Sequence, residues 1–421
     1  MKKLLFPIAL LLIYNTISFA QMGKKNPEQT VYFLANKLLS ETSWELMNVK
    51  TGETFTDSKK LPVSADIKLK SKKTDWLYQN GVLNLAMMKA GNYFNEKKYT
   101  NFVENNYKFA FKNYDYFKKQ FEDQSIKKPS LFKMYEFHYL DDCGTMGAGL
   151  IESGLLESEK SDDYKALIER SADYIMNKEF RLEDGTLCRE YPRKGAVWAD
   201  DLYMSVIFLT KMGTYTGEAK YHNEAVKQIK QFTKYLFDEN MGVYNHAYFH
   251  DIDEVNGAFW GRANGWVMMA QVELLSALSD SHPERAELIE ILKSFIRGIS
   301  RLQSQSGLWH QLLNKNDSFL ESSCTAMFTY SIAKAVNEGW IDSVWSQVAW
   351  KGWRGLYGNV TEDAQVKDIC VGTHVEWNLA FYYNRPISVN DTHGLATTIL
   401  AGTEITRLSK KYSERISPRS F

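Results

Sequence analysis

The 421-residue chain has only 4 cysteines and 8 prolines, and its charges cancel at 51 Lys and Arg against 51 Asp and Glu. Cys143, Cys188, Cys324 and Cys370 form no CxxC pair and fit no zinc spacing. They read as buried single thiols in a large domain. The zero balance leaves no electrostatic footprint for nucleic acid or for an anionic membrane surface. No stretch beyond the N-terminus reaches the ~20 apolar residues of a spanning helix. No run rich in Pro, Gly or Ser marks a linker, so residues 21–421 read as one domain. Strand signals are sparse throughout.

Aromatic residues are abundant, with 11 Trp and 24 Tyr. They fit either a large packed core or surfaces on which sugar rings stack. The first residues, "MKKLLFPIALLLIYNTISFAQ", combine two lysines, an apolar run and a small-residue end. That is the form of a secretory signal peptide cut after Ala20. The reading is of an exported protein, in the periplasm or secreted.

Helical periodicity dominates from about residue 27 to residue 415. A short polar turn, a Tyr and an amphipathic helix recur in "YFNEKKYTNFVENNYKF", "EKSDDYKALIERSADYI" and "YTGEAKYHNEAVKQIKQF". The marker residues are Tyr99, Tyr164 and Tyr221. A spacing of about 60 residues is one helical hairpin per repeat. Six hairpins fit the length. Their irregular lengths and long Gly- and aromatic-rich connections, such as "YNHAYFHDIDEVNGAFWGRANGW", favour closure over an open stack. The expected fold is therefore all-α, an (α/α)6 barrel with its site at one mouth of the inner ring.

Two pairs of adjacent acids stand out. In "WADDLYMS", Asp200 and Asp201 head an apolar helix, with Asp200 in line with Met204 and Trp198 in line with Leu202. One Asp suffices to cap a helix. The second, beside Trp and Met, is expected to be desolvated, to have a raised pKa and to suit general acid catalysis. In "FHYLDDCGTMGAGL", Asp141 and Asp142 precede a Gly-rich helix start, where either a cap or a close approach to a ligand fits. Arg262 and Trp266 in "WGRANGW" share a helix face, as an ion pair with a core Trp or as a carboxylate clamp with a stacking surface. His246 and His250 stand four apart but lack the acid of an HExxH motif, so no metal is expected. His246 reads instead as a polar contact. Trp76, Tyr78, Trp309, His310 and Glu321 carry weak signals individually.

In order, "WLYQNG", "LDDCG", "WADDLYM", "GVYNH", "WGRANGW", "SGLWHQ" and "ESSCTAMF" resemble the unsaturated uronyl hydrolases of glycoside hydrolase family 105, with family 88 a more distant relation. The resemblance covers nearly the whole chain after residue 20. It implies a cofactor-free, exo-acting hydrolase that removes a 4,5-unsaturated uronic acid from lyase-generated oligosaccharides. It implies Asp200 as the principal acid/base and Asp142, with Asp141 as its alternative, as the second acid. It also implies substrate contacts from His246, Arg262 and Trp266, with ring stacking on Trp198 and Tyr78. Asp201 and Met204 complete the expected contacts around the first acid pair. The implied leaving sugar is rhamnose, from rhamnogalacturonan or sulfated ulvan. Arg189, Arg193 and Lys194 in "CREYPRKG" are candidates to meet a sulfate, or a solvated charge run. The alternatives are a family 88-like hydrolase of glycosaminoglycan fragments and a non-catalytic sugar binder on the same fold.

Overall fold

The computed structural model describes residues 26–158 and 161–416. The proposed signal peptide lies outside them. Twelve helices build the body: α1 Pro27–Glu41, α2 Tyr78–Phe94, α3 Lys97–Lys112, α4 Leu140–Glu152, α5 Ser161–Asp173, α6 Ala199–Thr216, α7 Ala219–Leu236, α8 Gly261–Ala277, α9 Arg285–Arg301, α10 Ser322–Glu338, α11 Ser346–Gly358 and α12 Thr392–Ile416. The even-numbered helices pack in the cyclic order α2, α4, α6, α8, α10, α12 and back to α2. Each carries an odd-numbered helix on its outside, and α1 takes that place on α12. The first and last of the described helices, α1 and α12, thus form the sixth hairpin and close an (α/α)6 barrel.

The sequence pattern separates the two rings. Inner helices are enclosed on every side: in α10 each residue from Ser322 to Asn337 is buried. Outer helices bury one stripe, as α7 does with Tyr221, Ala225, Val226, Ile229, Phe232 and Leu236. The marker residues Tyr99, Tyr164 and Tyr221 lie in the first turns of α3, α5 and α7. All three are buried, which anchors each outer helix. The four cysteines are buried free thiols. Among the described residues no helix is long and apolar enough to cross a membrane.

The small residues after Asp142 serve the ring itself. A Cβ on Gly144 of α4 would stand 1.9 Å from the Met204 carbonyl oxygen of α6. Backbone cannot yield as a flexible side chain does. Gly144→Ala is expected to cost about 3 kcal/mol of folding stability, read from urea unfolding. An unchanged midpoint would mean that the two helices separate freely. Met204 is 1% exposed and belongs to this helix contact, not to the expected substrate surface.

Candidate active site

All six inner helices present their N-termini at one mouth. Tyr78, Asp141, Asp200, Arg262, Glu321 and His393 each lie at or within two residues of such a terminus. Six positive helix-dipole ends favour an anionic ligand there. The C-terminal ends surround a separate cavity of about 420 Å³, lined by Lys89, Glu273 and Glu404 among others.

A short sheet brings the first acid to its partner. Strand Ala196–Trp198 pairs antiparallel with Ala247–Phe249, Trp198 opposite Ala247. The chain leaving one strand therefore meets the chain entering the other, and Ala199 N donates to His246 O at 2.9 Å. His246 Nε2 then lies 3.0 Å from Asp200 Oδ2, and its Nδ1 lies 2.7 Å from Tyr382 Oη. Tyr382 is held by Asn256 Nδ2 at 3.0 Å and by Glu376 N at 3.2 Å. His246 is fully buried, so its ring has one orientation. Burial alone would raise the Asp200 carboxyl. The His246 imidazole, with Arg189 and Arg262 adding charge, outweighs burial and holds it below the usual carboxylate range. This reverses the expected raised pKa at Asp200. Nor does Asp200 cap its helix: α6 starts at Trp198 without any side-chain cap.

Asp201 turns away from the mouth. Arg189 grips it with two bonds, Nε to Oδ2 at 2.8 Å and Nη2 to Oδ1 at 2.6 Å. Asp201 is 2% exposed, so the expected substrate contact is instead a buried ion pair. The same guanidinium lies 3.9 Å over the Trp198 ring and 3.7 Å from Asp141. Trp198 is buried against Ala196, Ala247 and Phe249, with its indole N–H unpaired. That leaves it edge-on to His246 rather than as an open stacking surface.

The second acid pair divides the same way. Asp142, expected as the second acid, is a cap. Its Oδ2 accepts from His138 N at 2.9 Å and Tyr139 N at 3.1 Å, and its Oδ1 meets Lys133 Nζ at 2.6 Å. Its neighbour Asp141 keeps a partly exposed side chain toward Arg189. Burial pushes the Asp141 carboxyl up to about 6, with Arg189 opposing and Asp201 reinforcing the shift.

Arg262 and Trp266 are both 1% exposed. Arg262 donates to the carbonyls of Cys370 and, at 2.7 Å, Val371. It pins the segment that leads to Tyr382, where a clamp on the substrate carboxylate was expected. Glu321 bonds Cys370 N at 2.9 Å and caps α10 through Cys324 N at 2.7 Å. Trp266 stacks on Tyr203 at 5.0 Å inside the ring and offers no open face to a sugar. Tyr78 does reach the mouth, with its Oη 2.6 Å from His393 Nε2. His250 is exposed. Tyr382, Asn256, Asp391 and His393 had no sequence signal. They come from distant segments, with Tyr382 lying 136 residues from the histidine it holds.

Of the cations considered for a sulfate, Arg189 is taken by Asp201. Arg193 pairs with Asp251 at 2.7 Å and lies over Phe249 at 4.6 Å. Lys194 sits over the Phe180 ring at 5.1 Å.

Residues 19–409 match the model of Glycosyl Hydrolase Family 88. The unsaturated rhamnogalacturonyl hydrolase YesR of Bacillus subtilis is 29% identical over 248 residues, 57% of this chain and 70% of that protein. The unsaturated 3S-rhamnoglycuronyl hydrolase of an Alteromonas species is 32% identical over 175 residues, which are 40% of this chain and 42% of the relative. A possible family 105 member from Salmonella enterica superposes with a TM-score of 0.72 at 22% identity, covering 91% of this chain and 94% of that one. An unsaturated glucuronyl hydrolase from Bacillus sp. GL1 superposes at 0.61 and 14% identity, over 91% and 96%. A ring closed by α1 on α12, an acid tethered through histidine, and a family match running almost from end to end agree: this chain belongs to Glycosyl Hydrolase Family 88 and is a glycoside hydrolase.

Proposed function

We propose that the protein is an exo-acting hydrolase that removes a 4,5-unsaturated uronic acid from the non-reducing end of a lyase-generated oligosaccharide. The observation that carries this reading is the contrast between its two mouth carboxyls: Asp200 is held ionised by His246, and Asp141 has its pKa raised by burial. A split of this kind assigns base and acid. Asp141 delivers a proton to C4 of the enol ether, and positive charge develops at C5 and the ring oxygen. Asp200 takes a proton from the water that adds at C5. The hemiketal so formed opens by breaking its C5–O bond to give a ketone. C1 is then a hemiacetal, which releases the aglycone alcohol. One proton leaves Asp141 and one arrives at Asp200, so the sum over the step is zero. The resemblance alone implied one residue, Asp200, acting as acid and then as base. That scheme needs a protonated Asp200, and the electrostatics favour the division between two residues.

The aglycone we propose is unsulfated rhamnose, as in rhamnogalacturonan fragments. Arg189 and Arg193 are paired with Asp201 and Asp251, which leaves only Lys194, over the Phe180 ring, to meet a sulfate. The name of the Bacillus subtilis relative supports the same class. The N-terminal sequence supports an exported enzyme in the periplasm or beyond.

The test is to incubate the protein with unsaturated disaccharides from rhamnogalacturonan, ulvan and a glycosaminoglycan. Each reaction is followed by the ultraviolet absorbance of the conjugated uronate. Loss is expected on the rhamnogalacturonan product and not with Asp200→Asn. Faster loss on the sulfated ulvan product would overturn the aglycone. Faster loss on the glycosaminoglycan product would favour the glucuronyl alternative. No loss on any of them would remove the activity and return the fold to sugar binding.

A further inference from the structure

The first turn of α12 carries a chain of side chains that the scheme above does not use. Asp391 precedes the helix, and its Oδ1 accepts from His393 N at 3.0 Å. The same oxygen lies 2.5 Å from His393 Nδ1. His393 Nε2 lies 2.6 Å from Tyr78 Oη, which comes from the opposite end of the chain. His393 is 2% exposed and sits between Tyr78 and Trp266, with ring centroids at 5.4 and 6.4 Å.

Proton placement along this chain follows from its ends. Burial would raise the Asp391 carboxyl, but the hydrogen bonds it accepts from His393 N and Nδ1 hold it well below the usual range. An ionised carboxylate only accepts, so the proton between the two lies on Nδ1. Burial and the Arg262 charge lower the His393 pKa, which keeps the ring neutral. Nε2 is then a bare acceptor, and Tyr78 must donate its hydroxyl proton to it. Burial raises the Tyr78 pKa, so the phenol keeps that proton. The only capacity left on Tyr78 Oη is its lone pairs.

We infer that Asp391 and His393 are positioning residues that lock Tyr78 as a hydrogen-bond acceptor for the attacking water. Tyr78 Oη lies within reach of the Asp200 charge, so water held between them meets two acceptors, the Asp200 carboxylate and Tyr78 Oη. With both hydrogens held, its lone pair is aimed at C5 before reaction, which is the gain that fixed orientation provides. A tyrosine free to rotate would as readily donate to the water and turn that lone pair away. The inference rests on the hydration reading above, with Asp200 as base.

The experiment compares wild type with Tyr78→Phe, His393→Ala, His393→Gln, Asp391→Asn and the Tyr78→Phe/His393→Ala double variant on the disaccharide that the wild type consumes. Urea unfolding of each variant checks the fold. Tyr78→Phe and His393→Ala are each expected to lose about 10²-fold in kcat with KM within about twofold. The double variant is expected to be no slower than the worse single one, because both remove the same acceptor. His393→Gln offers an amide oxygen to Tyr78 and is expected to recover part of the loss. Asp391→Asn keeps the cap and is expected to lose about tenfold. Multiplying losses in the double variant, a KM effect with unchanged kcat, or a fully active Tyr78→Phe would each overturn the inference. A wild type inactive on every unsaturated disaccharide would strike the hydration reading itself. An active wild type with neutral His393 variants would strike the positioning role alone.

Discussion

Replacing Asp200 with Asn is expected to lower kcat by about 10³-fold while leaving KM within a few-fold and lowering the unfolding midpoint only slightly, through loss of the charge that His246 favours. The expectation rests on what Asp200 does not do. It caps no backbone N–H of α6, whose first turn is held instead by the bond from Ala199 N to His246 O. Its one side-chain hydrogen bond is to His246, and an amide oxygen can still accept there. The amide cannot take a proton from water, however. Asp142→Asn gives the opposite signature. That carboxylate accepts from two backbone N–H groups and from Lys133 while 3% exposed. Losing the charge is expected to cost about 2 kcal/mol of stability, with a much smaller change in kcat. Steady-state rates and urea melts on the two variants separate the roles. A stable, inactive Asp142→Asn beside an active Asp200→Asn would exchange them.

The two acid pairs show where sequence reasoning reaches and where it stops. Both were legible as helix starts, and both belong to the mouth. Within each pair it is the first member, Asp141 or Asp200, that faces the site. The second is rotated about 100° further round the helix and is consumed by the scaffold. The partners that decide this are Lys133 for Asp142 and Arg189 for Asp201. Arg189 approaches from a loop folded back by the bridge between Arg189 and Ala196. Such contacts are tertiary, and helical periodicity carries no trace of them. The barrel itself was legible because each hairpin is local: a polar turn, a buried Tyr, an amphipathic outer stripe. Its closure by α1 on α12 is not local, yet six hairpins with irregular loops left little else. Arg262 and Trp266 were correctly placed on one face, but that face points into the ring. The spacing of residues gives a face and not its direction. Tyr382, Asp391 and His393 stayed invisible because a lone Tyr and a "DTH" helix start resemble ordinary core and cap residues. Only the fold brings them to His246 and Tyr78.

Turnover is expected to fall as pH rises through about 6, and Asp141→Asn is expected to abolish that fall while lowering kcat by about 10²-fold. The sign follows from the two shifts. A general acid works while protonated, and burial raises Asp141, so its proton is present below about 6 and lost above it. A general base works while ionised, and His246 depresses Asp200, so that limb lies on the far acid side of the usual carboxylate range. The profile therefore declines toward neutrality as Asp141 loses its proton, with a separate loss on the acid side where His393 gains one and no longer holds Tyr78 as an acceptor. With Asn at position 141 the residual rate no longer depends on an acid that titrates there. One other buried carboxyl nearby gives a distinguishable answer. Glu179 is pushed up to about 8 by burial, with its hydrogen bond to Tyr174 opposing, and one of its oxygens has no partner. If the decline sits near 8 and survives in Asp141→Asn, the titrating group is Glu179 acting through Arg189. Asp141 then has no proton to give. If the decline sits near 6 and vanishes in the variant, the proton that reaches C4 is the one that burial keeps on Asp141.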